Sequence, residues 1–342
     1  MSVTIKDVAK KANVAPSTVS RVISNSPRIS EATKRKVRGV MKEMGYHLNF
    51  NARVLVRKST QTIGIVMKYS SSHSLDNPFF SELLRGISAS CHENDFSINL
   101  TTGDSEGAIF KDVVKMVQGK RVDGVIVLYS KKDDKVVPYL KEAGCPFIMV
   151  GTPAGRDKEI LYVDNDNTQA SKEAANYLLK LGHTKIGFIG GDSHFEVTSD
   201  RLEGYIQALR EANLPVHKSY IKTLEFETTR SYQIVSEIVN LSDPPTSLVI
   251  SDDYNALSVL AALQEKNISL PEEMSVITFN NTMITRLSRP KLTTVDTQSS
   301  KLGYEAARNL IEQLQHPDIV RKPVIIPASI VKRESCKPMK VK

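Results

Sequence analysis

One stretch of the sequence decides how the N-terminal part folds: Val14-Ala15-Pro16-Ser17-Thr18-Val19-Ser20-Arg21-Val22. If a helix begins at Pro16, then Val19, Val22 and Ile23 recur at helical spacing and form one narrow apolar face. Proline suits a first helical position because its missing N–H would have no intrahelical partner there. The stretch therefore predicts a short helix that begins at Pro16 and packs through one side only.

The remaining faces of this helix carry short polar groups and one guanidinium. They belong to Ser17, Thr18, Ser20 and Arg21. Groups of this kind can hydrogen-bond to base edges in the major groove of DNA. The pattern favours a recognition helix, and a plain pair of packed helices is the alternative.

The segments on either side complete a small helical unit. Thr4 and Asp7 have the spacing of a helix cap, and apolar residues repeat between them and Ala12. Asn13, which tolerates a left-handed turn, separates this helix from the next. Ser30 can cap a third helix, which Gly45 would end. We therefore predict a helix-turn-helix unit within residues 1–46.

The charge of the chain is concentrated at its N-terminal end. Residues 1–60 contain 13 Lys or Arg and three Asp or Glu, so they carry +10, whereas the whole chain carries +8 and the remainder −2. A basic head on a slightly acidic body indicates a polyanion-binding module joined to a different kind of domain.

Composition and length exclude several classes of protein. The 342 residues suit two or three domains, and no apolar run reaches the length of a membrane helix or of a signal-peptide core. The three cysteines lack metal-ligand spacing and are predicted to be reduced thiols of a cytoplasmic protein. Phosphate-binding loop motifs and a convincing nucleophile–base pair are missing, so we predict no cofactor, no metal and no enzymatic activity.

From Thr62 onward, short apolar runs alternate with helical patterns. The predicted strands form two sets, Ile63–Met67, Ile98–Thr101, Val125–Leu128, Phe147–Val150 and Tyr162–Val163, then Ile186–Ile189, Ile221–Leu224, Leu248–Ile250 and Val276–Phe279. Alternating strands and helices of this kind predict an α/β architecture with two doubly wound parallel sheets. Periodicity alone would make each lobe a contiguous piece of chain.

Several motifs together resemble the lac/gal repressor family of bacterial transcription regulators. They are Thr4-Ile5-Lys6-Asp7-Val8-Ala9, Val14, Thr18-Val19-Ser20-Arg21-Val22, Ser30-Glu31-Ala32-Thr33-Lys34-Arg35, Gly45-Tyr46, Asn49, Ala52-Arg53 and Leu55. Further motifs recur to about residue 334, so the resemblance covers nearly the whole chain. It implies a DNA-binding transcription repressor that is controlled by a small effector.

The resemblance also implies how the chain is divided. A helix-turn-helix headpiece would occupy residues 1–46, a hinge helix or linker 47–60, and a periplasmic-binding-protein-like core 61–336, followed by a tail at 337–342. The chain would cross between the two lobes of the core three times. Lobe one would then comprise about 61–164 and 296–323, and lobe two about 165–295 and 324–336.

The hinge is expected to take part in DNA binding. By resemblance, Leu55 would wedge into the minor groove, where an apolar side chain unstacks a base step, while Arg53 meets phosphate. Leu48 and Val54 depart from the residues usual in the family, and a plain flexible tether is the alternative. The complete set of predicted DNA contacts is Thr4, Pro16, Ser17, Thr18, Ser20, Arg21, Asn25, Asn49, Arg53 and Leu55.

Polar side chains that follow strands predict a ligand cleft, because ligands of open α/β sheets bind beyond the carboxyl ends of the strands. The resemblance places effector contacts at Phe79, Arg201, Asp252 and Asn280. Most family members have aspartate at the position of Asn280, and the pattern here is most similar to the maltose-type repressors. Maltose or a related α-glucoside is the expected effector. Taken singly, each residue could equally be a helix cap or an interlobe hydrogen bond.

Three other functions are alternatives to this one. They are an enzyme on a sugar- or nucleotide-binding α/β fold, a secreted sugar-binding protein, and a carbon-catabolite regulator whose corepressor is a phosphorylated carrier protein.

A headpiece that reads a palindrome needs a two-fold partner. Since Arg333–Lys342 has no leucine heptads that would build a tetramer, we expect a homodimer.

Overall fold

The computed structural model describes residues 3–46, 59–67, 76–224, 228–318 and 322–339. These residues belong to two compact units, Met1–Thr62 and Ile63–Lys342. The predicted hinge contacts Asn49, Arg53 and Leu55 lie outside the described residues.

The first unit contains the predicted helices, α1 (Ile5–Ala12), α2 (Pro16–Ile23) and α3 (Glu31–Glu43). A capping box begins α1, because Asp7 N–H donates to the hydroxyl of Thr4 and the Thr4 N–H donates back to the Asp7 carboxylate. Helix α2 has Pro16 at its first position, and Ser30 caps α3 through its hydroxyl. The start of each helix is therefore confirmed.

A small apolar core holds the three helices of the first unit together. Its buried members are Val8, Ala9, Ala12, Val19, Val22 and Val37. Asn13 has a φ of 51°, so it makes the left-handed turn between α1 and α2 that the sequence predicts. Because α2 buries Val19 and Val22 against this core, its polar faces point away from it.

The second unit contains two lobes, each built around one sheet. The strands of lobe one are β1 (Thr62–Val66), β2 (Ser97–Leu100), β3 (Gly124–Val127), β4 (Phe147–Val150), β5 (Tyr162–Asp164) and β11 (Val324–Ile325), and its helices are Pro78–Glu93, Glu106–Gln118, Val136–Glu142 and Ser299–Gln315. The strands of lobe two are β6 (Ile186–Gly190), β7 (Ile221–Thr223), β8 (Ser247–Ile250), β9 (Ser275–Phe279), β10 (Thr293–Asp296) and β12 (Ser329–Val331), and its helices are Asn167–Lys180, Glu196–Glu211, Thr228–Val239, Asp253–Glu265 and Met283–Leu287. Short 3₁₀ turns lie at Ala154–Arg156 and Lys218–Tyr220.

Both sheets have the doubly wound arrangement. The strand orders are β11-β5-β4-β3-β1-β2 and β12-β10-β9-β8-β6-β7. In β3, Ile126 packs into a core with the helices Pro78–Glu93 and Ser299–Gln315, while Val125 and Val127 pack into a second core with Glu106–Gln118 and Val136–Glu142. Strands that are buried on both faces read as continuous apolar runs, which is why they were recognisable in the sequence.

The last strands of each sheet were not predicted, and one boundary between the lobes was placed wrongly. Residues 324 and 325 were expected in lobe two, but Val324 pairs with Val163 in the parallel ladder between β11 and β5 of lobe one. The chain crosses only after Ile326, before β12 pairs antiparallel with β10. A two-residue edge strand carries too little periodicity to be recognised in a sequence.

The residues predicted as a tail, 337–342, are largely attached to lobe two. The Lys337 N–H donates to the Ser275 hydroxyl at 3.2 Å, and the Met339 N–H donates to the Leu181 carbonyl oxygen at 2.7 Å. The buried ring of His183 lies 3.1 Å from the Lys337 carbonyl oxygen. The packed chain therefore continues to residue 339, and residues 340–342 lie outside the described part.

One side chain ties together the three places where the chain crosses between lobes. Asn165, at the first crossing, is 3% exposed, and its amide donates to the carbonyl oxygens of Thr297 at 3.1 Å and Ile326 at 2.8 Å. Thr297 lies at the second crossing and Ile326 at the third. Beside them, the Gln298 amide donates to the Pro327 carbonyl oxygen at 2.6 Å. The connectors thus form one hydrogen-bonded junction.

None of the helices in the described ranges is long and apolar enough to cross a membrane.

The junction predicts a large effect of Asn165→Ala on stability. The substitution leaves two carbonyl oxygens in a buried region without their donor, at ~1–3 kcal/mol for each unsatisfied group. We expect the free energy of unfolding of the core, measured with urea, to fall by about 2–4 kcal/mol. The control is Gln207→Ala, which removes only a surface bond to Glu203 and should change stability by less than about 0.5 kcal/mol. Equal effects of the two substitutions would contradict the role given to Asn165.

Candidate functional site

A cleft between the two lobes of the core brings the predicted effector contacts together. It contains about 1090 Å³ of empty space, part of it open to solvent. Phe79, Arg201, Asp252 and Asn280 all line it. Phe79 comes from lobe one and the other three from lobe two, so a ligand in the cleft would touch both lobes.

Arg201 is the buried cation of this cleft and is held from three sides. Its Nε donates to Asn167 Oδ1 at 2.9 Å, another guanidinium nitrogen donates to the Ser251 carbonyl oxygen, and the group lies 4.2 Å from the centre of the Phe279 ring. Burial lowers the pKa of Arg201 to about 10, although Asp252 and Asp164 act in the opposite direction, so the group stays charged at neutral pH. The helix Glu196–Glu211 carries Arg201 in its second turn.

A close contact between helices positions this arginine. A Cβ atom at Gly204 would lie 2.0 Å from the Thr168 carbonyl oxygen, so only glycine allows the helix Glu196–Glu211 to approach the helix Asn167–Lys180 this closely. The same approach brings Arg201 within hydrogen-bond distance of Asn167 at the start of the neighbouring helix.

Asp252 has a structural role and also free acceptor capacity for a ligand. It caps the helix Asp253–Glu265, because its Oδ1 accepts from the Asn255 N–H at 2.7 Å, and its Oδ2 accepts from the Asn255 amide at 3.0 Å. Burial raises the pKa of Asp252, and the hydrogen bond from Asn255 and the charge of Arg201 partly offset that effect. A carboxylate oxygen has room for further donors, so the cap does not exhaust its acceptor capacity.

Asp253 and Asn281, which follow the same strands, are used elsewhere. Asp253 is fully buried and accepts from the Thr282 N–H at 2.9 Å, and burial raises its pKa to about 6. The Asn281 side-chain oxygen accepts from Arg333 at 2.6 Å. Asn280, with a φ of 88°, makes the turn after β9 and faces the cleft instead.

The sequence reasoning missed a second polar set on the cleft wall, Asp164, Asn165 and Asn167. Asp164 is buried and accepts from the Thr152 N–H at 2.7 Å and from the Asn167 amide at 3.0 Å. Burial also raises the pKa of this carboxyl. The sequence does contain a signal for this set, because the polar run Asp164-Asn165-Asp166-Asn167 follows a predicted strand, as Asp252 does.

In the first unit, the predicted DNA contacts lie on the solvent side. Pro16, Ser17 and Arg21 are exposed, and Thr18 and Ser20 are half-buried. Thr4 is exposed, but its hydroxyl donates to the Asp7 carboxylate at 2.6 Å as part of the cap. Asn25 follows α2 with a φ of 49°, and its side-chain oxygen accepts from Arg38 at 3.0 Å. The polar side chains predicted on α2 are thus exposed or half-buried.

Comparison with known proteins agrees with both parts of the structure. Residues 4–49 match the family described as bacterial regulatory proteins, lacI family, and residues 175–336 match a periplasmic binding protein-like domain. The HTH-type transcriptional regulator MalR of Staphylococcus xylosus is 35% identical over 335 residues, which cover 97% of this chain and 98% of that protein. The chain belongs to the lacI family of bacterial regulatory proteins.

Two solved structures of similar proteins support the fold of this lacI-family chain. A putative transcriptional regulator LacI from Bacillus cereus subsp. cytotoxis is 42% identical, with a TM-score of 0.79 over 82% of this chain and 99% of that one. A Staphylococcus protein described as a probable maltose operon transcriptional repressor is 28% identical, with a TM-score of 0.75 over 81% of this chain and 98% of that one. As a member of the lacI family, the chain is a helix-turn-helix transcription regulator with a two-lobed α/β core.

Proposed function

We propose that this regulator represses a carbohydrate-utilisation operon and that maltose or a related α-glucoside, bound between the lobes, controls its attachment to DNA. The main support for this proposal is the charge of the side chains that line the cleft. Among the described residues that line it, Asp164, Asp192 and Asp252 face a single cation, Arg201. An acidic wall disfavours phosphates and other anions but offers strong acceptors to the hydroxyls of a neutral sugar.

The apolar part of the cleft suits the ring faces of a sugar. Phe79 and Phe80 meet edge to face, with ring centres 5.4 Å apart, and both line the cleft. Pockets for small molecules combine such apolar surfaces with a few fixed polar groups. Maltose is the sugar of choice because the similar Staphylococcus structure is described as a maltose operon repressor.

The exposed face of α2 is proposed to enter the major groove. Ser17, Thr18 and Ser20 would contact base edges, and Arg21 would contact a base or a phosphate. Thr4, Pro16 and Asn25 would lie beside the DNA backbone. Residues 47–60 are proposed to form the hinge, with Asn49 and Arg53 at the backbone and Leu55 in the minor groove.

A second copy of the chain is the proposed partner on a palindromic operator. Lobe two has large apolar side chains that are exposed to solvent in a single copy of the chain. They are Tyr232, Leu257, Met283 and Leu287, which are 47%, 50%, 54% and 65% exposed. Tyr232 and Leu257 line the same groove, and the helix Met283–Leu287 packs beside the helix that carries Leu257. Exposed apolar side chains on neighbouring elements are typical of a subunit interface.

The cellular setting follows from DNA binding. A regulator acts where the DNA is, so we propose a cytoplasmic protein that works by binding rather than by catalysis. The competing regulator, with a phosphorylated carrier protein as corepressor, would need an anionic partner to bind the core instead of a neutral sugar in the cleft.

Arg21→Ala is expected to weaken operator binding by about 10- to 100-fold, since a good base contact is worth ~1–3 kcal/mol. The affinity of the parent should also fall steeply with salt because phosphate contacts release counterions. Fluorescence anisotropy with an operator duplex selected by the protein measures both effects. The control is Arg121→Ala, which removes a solvent-exposed arginine of lobe one. Unchanged binding by the Arg21 variant would remove α2 from the DNA interface.

Asp252→Asn is expected to weaken maltose binding by about 10- to 100-fold, as one charged acceptor in a partly buried site is worth ~1–3 kcal/mol. Asparagine is also a good helix cap, so the fold should persist, and unchanged operator binding checks this. Calorimetric titration measures the affinity. The matched control, Asp243→Asn, neutralises an exposed carboxylate paired with Lys185 in the same lobe. If the parent binds no maltose-type sugar but binds a phosphorylated carrier protein, the alternative regulator is correct.

Leu257→Glu is expected to convert the dimer to a monomer, because it places a charge in the apolar interface. Light scattering at micromolar concentration should then give half the mass of the parent, and operator affinity should fall by at least about 10-fold since half-sites bind independently. Met339→Glu changes another exposed apolar side chain and should leave the dimer intact. A Leu257 variant that remains dimeric would place the interface elsewhere.

A further inference from the structure

The two lobes are joined at a second place, by contacts between their main chains. Lys131 of lobe one and Phe195 of lobe two form an antiparallel bridge. The Lys132 N–H donates to the His194 carbonyl oxygen at 3.1 Å, and the Glu196 N–H donates to the Ser130 carbonyl oxygen at 3.2 Å. We call this contact, residues 130–132 with 194–196, the interlobe bridge.

Side chains reinforce the bridge and connect it to the cleft. The Tyr129 and Phe195 rings meet edge to face, with centres 6.5 Å apart and planes at 83°. The Tyr129 hydroxyl donates to Asp134 at 2.9 Å, which fixes the position of the ring. Tyr129, Ser130 and Phe195 all line the cleft. The bridge is therefore part of the wall around the proposed sugar site.

The bridge differs from the junction at Asn165 in being separable. The connectors at that junction are continuous chain, so they hold the lobes together in every state. The bridge includes two hydrogen bonds and one aromatic contact, each worth a factor of about 2–10 in an equilibrium constant. Their combined contribution, about 10- to 1,000-fold, is enough to favour the closed arrangement and small enough to be overcome repeatedly.

We propose that the interlobe bridge is a latch, which opens to admit the sugar and whose strength sets how long the sugar stays bound. This inference rests on the proposed sugar site in the cleft. Widening of the cleft requires the bridge to break, since its two segments belong to different lobes. Because main-chain atoms form the two hydrogen bonds of the latch, side-chain truncation at these positions would leave those bonds intact.

One substitution removes a single hydrogen bond of the latch without disturbing the helix that bears it. Glu196 is the first residue of the helix Glu196–Glu211, where proline is well tolerated because the N–H has no intrahelical partner. Phe195 before it has φ −91° and ψ 134°, which a residue preceding proline readily adopts. Glu196→Pro therefore deletes the donor to Ser130, and Glu196→Ala, which keeps the N–H, is its matched control.

We expect maltose to dissociate about 2- to 10-fold faster from Glu196→Pro than from Glu196→Ala in stopped-flow measurements. This fold-change corresponds to the net contribution of one hydrogen bond. Equal dissociation rates would overturn the proposal. If neither variant nor the parent binds maltose, the assignment of the sugar fails, and the latch is judged by the second experiment.

The second experiment locks the latch reversibly. Lys131 and Phe195 form a bridge pair flanked by hydrogen bonds, with the Cα spacing of ~4.5 Å that suits a disulfide. In the double variant Lys131→Cys and Phe195→Cys, oxidised glutathione should form this disulfide in the absence of sugar. The native Cys91, Cys145 and Cys336 should react slowly, because burial raises the pKa of each thiol to about 11.

Oxidation is expected to slow maltose association at least about 100-fold, and dithiothreitol should restore the rate in the same protein. The oxidised parent controls for the native thiols. A double variant that folds but does not cross-link would show that the lobes are not joined at this bridge, whatever the ligand is. A cross-linked protein that exchanges maltose as fast as its reduced form would show that the cleft opens without releasing the latch.

Discussion

The core depends on the amide of one buried side chain. Asn165 lies at the first crossing between lobes and donates hydrogen bonds to carbonyl oxygens at the other two, Thr297 and Ile326. Without these bonds, the three connectors would carry unsatisfied polar groups in a buried region. With them, the lobes share a fixed junction from which the cleft begins. Asn165 also lines that cleft, so the residue that joins the lobes is within reach of a ligand.

Much of this arrangement was predictable from local pattern. Helix α2 could be located because Pro16 marks its start and Val19 and Val22 its buried face. Strands such as β3 were recognisable because both of their faces are buried. The short strands β11 and β12 were not, since their pairing is decided by distant partners and not by their own residues. The threefold crossing of the chain came from the family resemblance alone.

The candidate cleft was predicted in part for the same reason. Asp252 and Asn280 were found because polar residues that end parallel strands meet at one edge of the sheet. That rule cannot tell which of two adjacent residues faces the ligand, and the structure selects Asp252 over Asp253 and Asn280 over Asn281. The choice depends on the turn after each strand, which is a property of the backbone. The contact between Lys131 and Phe195 was beyond any local rule, because it joins segments from different lobes.

A closure whose hydrogen bonds join main-chain atoms has a consequence for how such a regulator can vary. Every amino acid except proline supplies the same N–H and carbonyl groups, so substitutions at 132, 194 and 196 can accumulate while the lobes still close. The side chains that line the cleft are under no such shared constraint. Preference for one ligand over another can therefore drift in a lineage while the closing movement is inherited unchanged.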